Sequence, residues 1–327
     1  MKTSTTAFRI DGRVFGLKVA ACAAIIAFGV WAGGHHGWVW TTVSVIVIGA
    51  MFAHAVELQH QALHNTGFRS KCANRIVGTL LGVPMLISFT DYQTSHLRHH
   101  RTLGTPADRE SFDYDYASLR HPLRLIFHLL MIRHYLLKFK TLATAVRPAK
   151  ARDPRLPQIR NEYRLMMGVL AGGLLLSIAF GSTAFLFWWL LPLFAVAAPL
   201  HVLIELPEHI GCNPAARDIF ANTRTIRTSS LMSWFVNGNN FHVEHHWRAG
   251  VQVEDWAKLH EILQAEIEYL EPSYRSFYWR FFTALRRGFI HDPAYWATGK
   301  RASKQPGVVS LGRRTPPLQR RAGADLG

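Results

Sequence analysis

Eight histidines of this chain fall into three short patterns. They are H-x-x-x-H at His60 and His64, H-x-x-H-H at His96, His99 and His100, and a second H-x-x-H-H at His242, His245 and His246. On an α-helix, positions i, i+3 and i+4 lie on one face, so each box aims its imidazoles at a common point. Three such boxes separated by long apolar segments predict one metal centre assembled from distant parts of the chain. Imidazole ligates iron, zinc, copper or nickel through one ring nitrogen and leaves the other for a supporting acceptor. Glu57, one turn before His60, and Glu244, inside the third box, are candidates for that support. The chain has eighteen histidines in 327 residues, and those outside the boxes, such as His35, His54, His128, His134 and His260, read as ordinary structural residues.

The elements that must position these boxes are apolar. The formal charge of +16 would raise a nucleic-acid partner in a soluble protein. Beside membrane spans it reads instead as cytoplasmic loops and attraction to anionic lipid, so no nucleic-acid partner is expected. Three scattered cysteines, Cys22, Cys72 and Cys212, make neither a disulfide framework nor a C-x-x-C metal or redox pair.

Residues 1–13 form a short basic N-terminus, followed by a span over 14–32 and, after an uncharged Gly-His link, a second over 38–56 entered at Trp38 and Trp40. This hairpin sets Glu57, His60 and His64 at the membrane edge on the side of the N-terminus, and Arg69, Lys71 and Arg75 mark that side as cytoplasmic. The apolar stretch 76–89 is short for a crossing. A crossing there would part the first two boxes, so it is expected to re-enter on the same side. Residues 119–140 read as one basic amphipathic helix on the membrane surface, with Asp113 and Asp115 in the polar loop before it. Two further spans are expected over 165–180 and 183–202.

Beyond them, Asn237 and Asn240 could hydrogen-bond a bound ligand, 254–271 reads as an amphipathic helix, and the Arg-, Pro- and Gly-rich tail 298–327 is expected to be disordered. The predicted fold is therefore all-α and integral to the membrane. Four transmembrane helices in two hairpins carry a cytoplasmic helical cap, residues 57–164 and 203–297, within a single domain over 14–297.

This set of three boxes, the first two close together and the last two separated by two spans, resembles the membrane fatty acid desaturase superfamily over residues 14–265. The resemblance implies four transmembrane helices under a cytoplasmic cap that holds two iron ions, with O2 as co-substrate and a lipid or acyl chain as substrate. It implies metal ligation by His60, His64, His96, His99, His100, His242, His245 and His246. A ninth histidine follows the fourth span in such proteins; His209 is the choice for it here, with His201 as the alternative. Glu57, Glu208, Asn240 and Glu244 are candidates for the support of the ligands. An apolar tunnel beside the spans would hold the chain. The fused cytochrome b5 segment of some relatives has no counterpart, so electrons are expected from a separate donor such as ferredoxin or cytochrome b5. The expected activity is desaturation of an aliphatic chain in the inner membrane, if the source is bacterial. The alternatives are a related hydroxylase or ketolase acting on a hydrocarbon, terpenoid or small aliphatic metabolite, and a histidine-rich zinc-binding membrane protein.

Overall fold

The computed structural model describes residues 10–108, 121–144 and 154–299. Asp113, Asp115, the start of the basic stretch at 147 and the tail beyond 299 lie outside them. Among the described residues, four helices are long and apolar enough to cross a membrane. The first two, α1 (Gly12–His35) and α2 (Trp38–Leu63), form an antiparallel pair. The Thr41 hydroxyl donates to the Gly33 carbonyl at 2.9 Å beside the link. Then come α3 (Lys71–Gly82), α4 (Phe89–Thr102), α5 (Pro122–Leu129) and α6 (Ile132–Thr144). The other two long helices are α7 (Leu156–Ala179) and α8 (Leu186–Glu205). The remainder folds beside the histidine boxes as α9 (Ile219–Asn222), β1 (Arg224–Ile226), α10 (Ser230–Phe235), α11 (His242–Trp247), α12 (Trp256–Leu263), β2 (Tyr269–Glu271), α13 (Tyr274–Arg287) and α14 (Pro293–Trp296).

Several elements differ from the sequence expectation for local reasons. α2 continues past residue 56 to Leu63, so Glu57 and His60 ride on the helix itself and His64 caps it. α7 starts at Leu156, ahead of the span start expected at 165, and its first turns take up Arg160 and Arg164. The helix expected over 119–140 is two helices, broken where Met131 adopts a positive φ of 51°. The stretch 254–271 holds α12 and then β2, which pairs in parallel with β1. Strands of three residues are too short for an alternating pattern to announce them. The segment 76–89 is the second half of α3 and a turn leading to Ser88. The Gln59 carboxamide of α2 holds that turn by donating to the carbonyls of Gly78 at 2.9 Å and Ile87 at 3.0 Å.

α2 and α8 meet at close range. Pro192 lacks the N–H an α-helix needs there, and α8 widens to π-winding over Leu186–Leu190 and Pro192–Ala197. Gly49 admits that wide turn. A Cβ on Gly49 would stand 2.6 Å from the Pro192 carbonyl oxygen and 2.5 Å from the Val196 Cβ. Small residues at helix crossings allow such approach in lipid, where packing rather than water drives association. Gly49→Val must therefore push the two helices apart. The expected cost is about 1–3 kcal/mol, read as a lower melting temperature of the protein in detergent; an unchanged Tm would show that the crossing has slack.

Candidate metal centre

Three helices and one turn deliver the imidazoles. His60 lies in the last turn of α2 and His64 caps it. α4 starts at Ser88, whose hydroxyl accepts from the Asp91 N–H at 3.1 Å. Glu162 of α7 pins this start by accepting from the Ser88 hydroxyl at 2.6 Å, the Thr90 N–H at 2.9 Å and the Thr90 hydroxyl at 2.6 Å. His96, His99 and His100 occupy the turns that follow. The chain enters the short α11 through two left-handed residues, Asn237 (φ 46°) and Gly238 (φ 78°). The Asn237 carboxamide donates to the Glu57 carbonyl at 3.0 Å and to Gln61 Oε1 at 3.1 Å, fastening the third box to α2. His209 stands in the turn after α8, and its Nδ1 lies 2.9 Å from the Asn222 carbonyl oxygen.

The ring nitrogens gather into two principal groups. His60, His64, His96 and His245 form one, and His99, His209, His242 and His246 the other. The ligating atoms of each group lie within 4.8 Å of one another, and His100 joins His245 and His246 between them. Nε2 atoms stand 2.8 Å apart in His60 and His96, 2.9 Å in His100 and His245, and 2.9 Å in His242 and His209. All nine imidazoles named above are thus brought together, in two groups rather than at the single point the spacing suggests. Helical geometry explains the division. With about 100° per residue, position i+4 lies about 40° to one side of i and position i+3 about 60° to the other. His96 therefore reaches the first group and His99 the second, with His100 between the groups, its Nε2 3.0 Å from that of His96 and 2.9 Å from that of His245; His242 and His246 reach the second group and His245 the first.

The donor set fits a cation. His99 Nδ1 lies 2.9 Å from Asp108 Oδ1, and His209 Nδ1 faces the Asn222 carbonyl oxygen. Both partners accept, so both Nδ1 atoms carry the proton and both Nε2 atoms present lone pairs. Those two Nε2 atoms are 3.1 Å apart. Two lone pairs at that distance repel unless a positive centre lies between the rings. Burial pushes the pKa of His64, His96, His242, His245 and His246 well below the usual histidine value, and repulsion among neighbouring imidazoles adds to the shift. His209 is lowered to about 3, again mainly by burial. These six rings are held as neutral bases, the form in which histidine binds metal.

Of the four candidates for support, Glu208 faces a box histidine and the other three make their contacts elsewhere. Glu57 does not face His60; its Oε1 lies 3.3 Å from His201 Nδ1, and its other oxygen accepts from Asn239. His201 reaches a second carboxylate, Glu205, at 3.3 Å, and stands outside the three groups. Glu244 braces α11 by accepting from the Thr225 hydroxyl at 2.7 Å and from His260 Nδ1 at 2.6 Å. Asn240 donates to the Ile226 carbonyl at 3.1 Å and accepts from the Ser233 hydroxyl at 2.9 Å, while its neighbour Asn239 lines the cavity. Glu208 faces His242 Nδ1 at 3.5 Å. Asp108 reads in the sequence only as part of a polar loop. Its one signal is an acidic residue soon after a box, behind the Thr105 turn.

A cavity of about 580 Å³ opens on His60, His96, His99, His209 and His242. Ile87, Phe127, Met131, Leu137 and Val202 give it an apolar wall, and Arg124, Arg133, Lys138, Glu205 and Glu208 a charged one. The wall is mixed, where an apolar tunnel was expected.

The sequence matches the fatty acid desaturase family model over residues 36–278, a stretch that contains all three boxes and His209. The chain belongs to the fatty acid desaturase family. No curated protein matches it. Membership and the four apolar helices mark this desaturase-family chain as an integral membrane protein of oxidoreductase type, and its imidazole clusters are compatible with metal binding.

The neutral histidines give the metal-free desaturase-family protein a defined response to acid. Below the ordinary histidine pKa the unfolded chain takes up protons that the buried rings refuse. Stability therefore falls as pH falls, by up to about 1.4 kcal/mol per pH unit for each such ring. The window runs from the unfolded value of 6.5 down toward the folded values, about 3 for His209. Chelator-treated protein in detergent should melt at a lower temperature near pH 5.5 than at neutral pH; an equal or higher Tm in acid would contradict burial of neutral rings.

Proposed function

We propose that this chain is an O2-dependent desaturase that removes two hydrogens from an aliphatic chain at a pair of iron ions. The observation that carries the reading is the convergence of nine imidazoles in two groups, with His60, His96, His99, His209 and His242 on the wall of one cavity. His60, His64, His96, His100 and His245 would hold one iron, and His99, His209, His242 and His246 the other. An unactivated C–H bond is beyond any side-chain acid or base, and iron bound there would supply the O2 activation that the reaction needs.

The chain's own residues do the remainder. Asp108 and the Asn222 carbonyl fix the tautomers of His99 and His209 so that each Nε2 faces inward. Neutral ligands leave the charge of the metal ions uncompensated, and Glu208 and Asp108, one contact behind the rings, offset part of it. The cavity's apolar wall positions the substrate chain and keeps water from the reacting carbon. The histidine end of the helices faces the cytoplasm in this reading, in keeping with the basic residues 69–75. A separate acidic carrier, of ferredoxin or cytochrome b5 type, supplies two electrons.

The charged wall favours one second reading. A related hydroxylase or ketolase acting on a small aliphatic metabolite would suit a cavity that Arg124, Arg133 and Glu205 also line. Product mass separates the two reactions, since desaturation removes two hydrogens and hydroxylation adds one oxygen.

Lipids and small metabolites of cells with and without the chain should differ by a compound two mass units lighter than its precursor, formed only with O2. His96→Ala, which removes a ligand nearest the cavity, should abolish it while the protein still inserts. A product heavier by oxygen would select the second reading, and full activity of His96→Ala would contradict both.

A further inference from the structure

Arg224 is the first residue of β1 and is 1 % exposed. Its guanidinium donates to the Ile210 carbonyl at 2.7 Å and to the Pro207 carbonyl, and its backbone N–H donates to the Glu208 carbonyl at 3.0 Å. These three acceptors surround His209. The guanidinium carbon lies 5.0 Å from the ring of Phe277, 5.0 Å from Trp296 and 5.8 Å from Tyr269. Burying an ion here is costly, and an apolar side chain of similar volume would pack more cheaply. What an apolar residue could not do is hold two carbonyls on opposite sides of one histidine with a planar fork of donors.

The rest of β1 holds the other half of the same imidazole group. The Thr225 hydroxyl donates to Glu244 of α11 at 2.7 Å, and the Ile226 N–H donates to the Asn240 carbonyl, two residues before His242, at 2.8 Å. Asn222, whose carbonyl orients His209, lies two residues upstream. One short strand thus ties the His209 turn to the helix that carries His242 and His246. His60, His64 and His96 of the first group ride instead on α2 and α4, and His245 of that group shares α11 with His242 and His246. The strand is backed by β2, and the rings around Arg224 come from β2, α13 and α14. Trp296 lies beyond the stretch matched to the family.

We infer that Arg224 is the positioning residue of the second imidazole group: its clamp on the 207–210 turn sets His209 against His99, His242 and His246, and the aromatic cage of the C-terminal elements holds the clamp. This rests on the reading that the two groups bind iron. Because the 207–210 turn delivers its histidine to the second group alone, loosening the clamp weakens one metal position and spares the other.

The test is iron content per chain, after purification in detergent from iron-replete cells, for wild type, Arg224→Lys and His209→Ala. Lysine keeps the charge and loses the fork. Wild type should carry two irons. Arg224→Lys should resemble His209→Ala, with one iron retained and affinity for the second reduced by roughly 10- to 100-fold, the usual effect of removing a group that orients a ligand. Two irons held as tightly as in wild type would overturn the clamp. So would equal loss of both irons, or loss of folded protein, in Arg224→Lys, since the residue would then serve the scaffold at large. A wild-type chain without iron would overturn the metal reading, and the clamp with it.

Discussion

Neutral imidazoles whose lone pairs face one another set the terms for this fold. His99 and His209 each give their Nδ1 proton to an oxygen on the outer side, and their Nε2 atoms then stand 3.1 Å apart with nothing to donate. Burial opposes protonation as a relief of that repulsion, as at His96 and His209. A cation relieves it directly. The surrounding structure can be understood as the means of holding bases this close before a cation arrives, which costs stability that the helices and cap must supply.

Each device in the scaffold meets part of that demand. Glu162 of α7 fixes where α4 starts, Gln59 of α2 fixes the turn before it, and Asn237 fastens the third box to α2. Gly49 lets α8 approach α2 closely at Pro192 and Val196. β1 then joins the His209 turn to α11. The elements that bear histidines are therefore cross-tied by side chains far apart in sequence, at the end of the helical bundle where apolar packing gives way to polar contacts.

Much of this was legible in the sequence, and what was not has a common cause. The boxes and the apolar helices are local patterns, visible because helical periodicity and hydropathy act over a few turns. The division of each H-x-x-H-H between two groups is also implicit in helical geometry, although spacing alone suggests one meeting point. His209 entered through family resemblance, since a lone histidine in a Pro-Glu-His turn carries no periodic signal. Asp108, Glu162 and Arg224 act through partners 9, 74 and 17 residues away, and of the three only Asp108, an acidic residue soon after a box, carries any local mark. Glu57 stands where helical spacing suits a partner for His60, but the tertiary fold presents His201 to it instead. Asn239 and Asn240 show how little register is needed: adjacent carboxamides, of which one lines the cavity and the other secures β1.

Two cations, each within its own set of rings, are what the proposed chemistry requires. Anomalous X-ray scattering from crystals of iron-loaded protein, recorded on both sides of the iron edge, tests this most directly. Two peaks are predicted, one among His60, His64, His96, His100 and His245 and the other among His99, His209, His242 and His246. A single peak, or none within these rings, would contradict it.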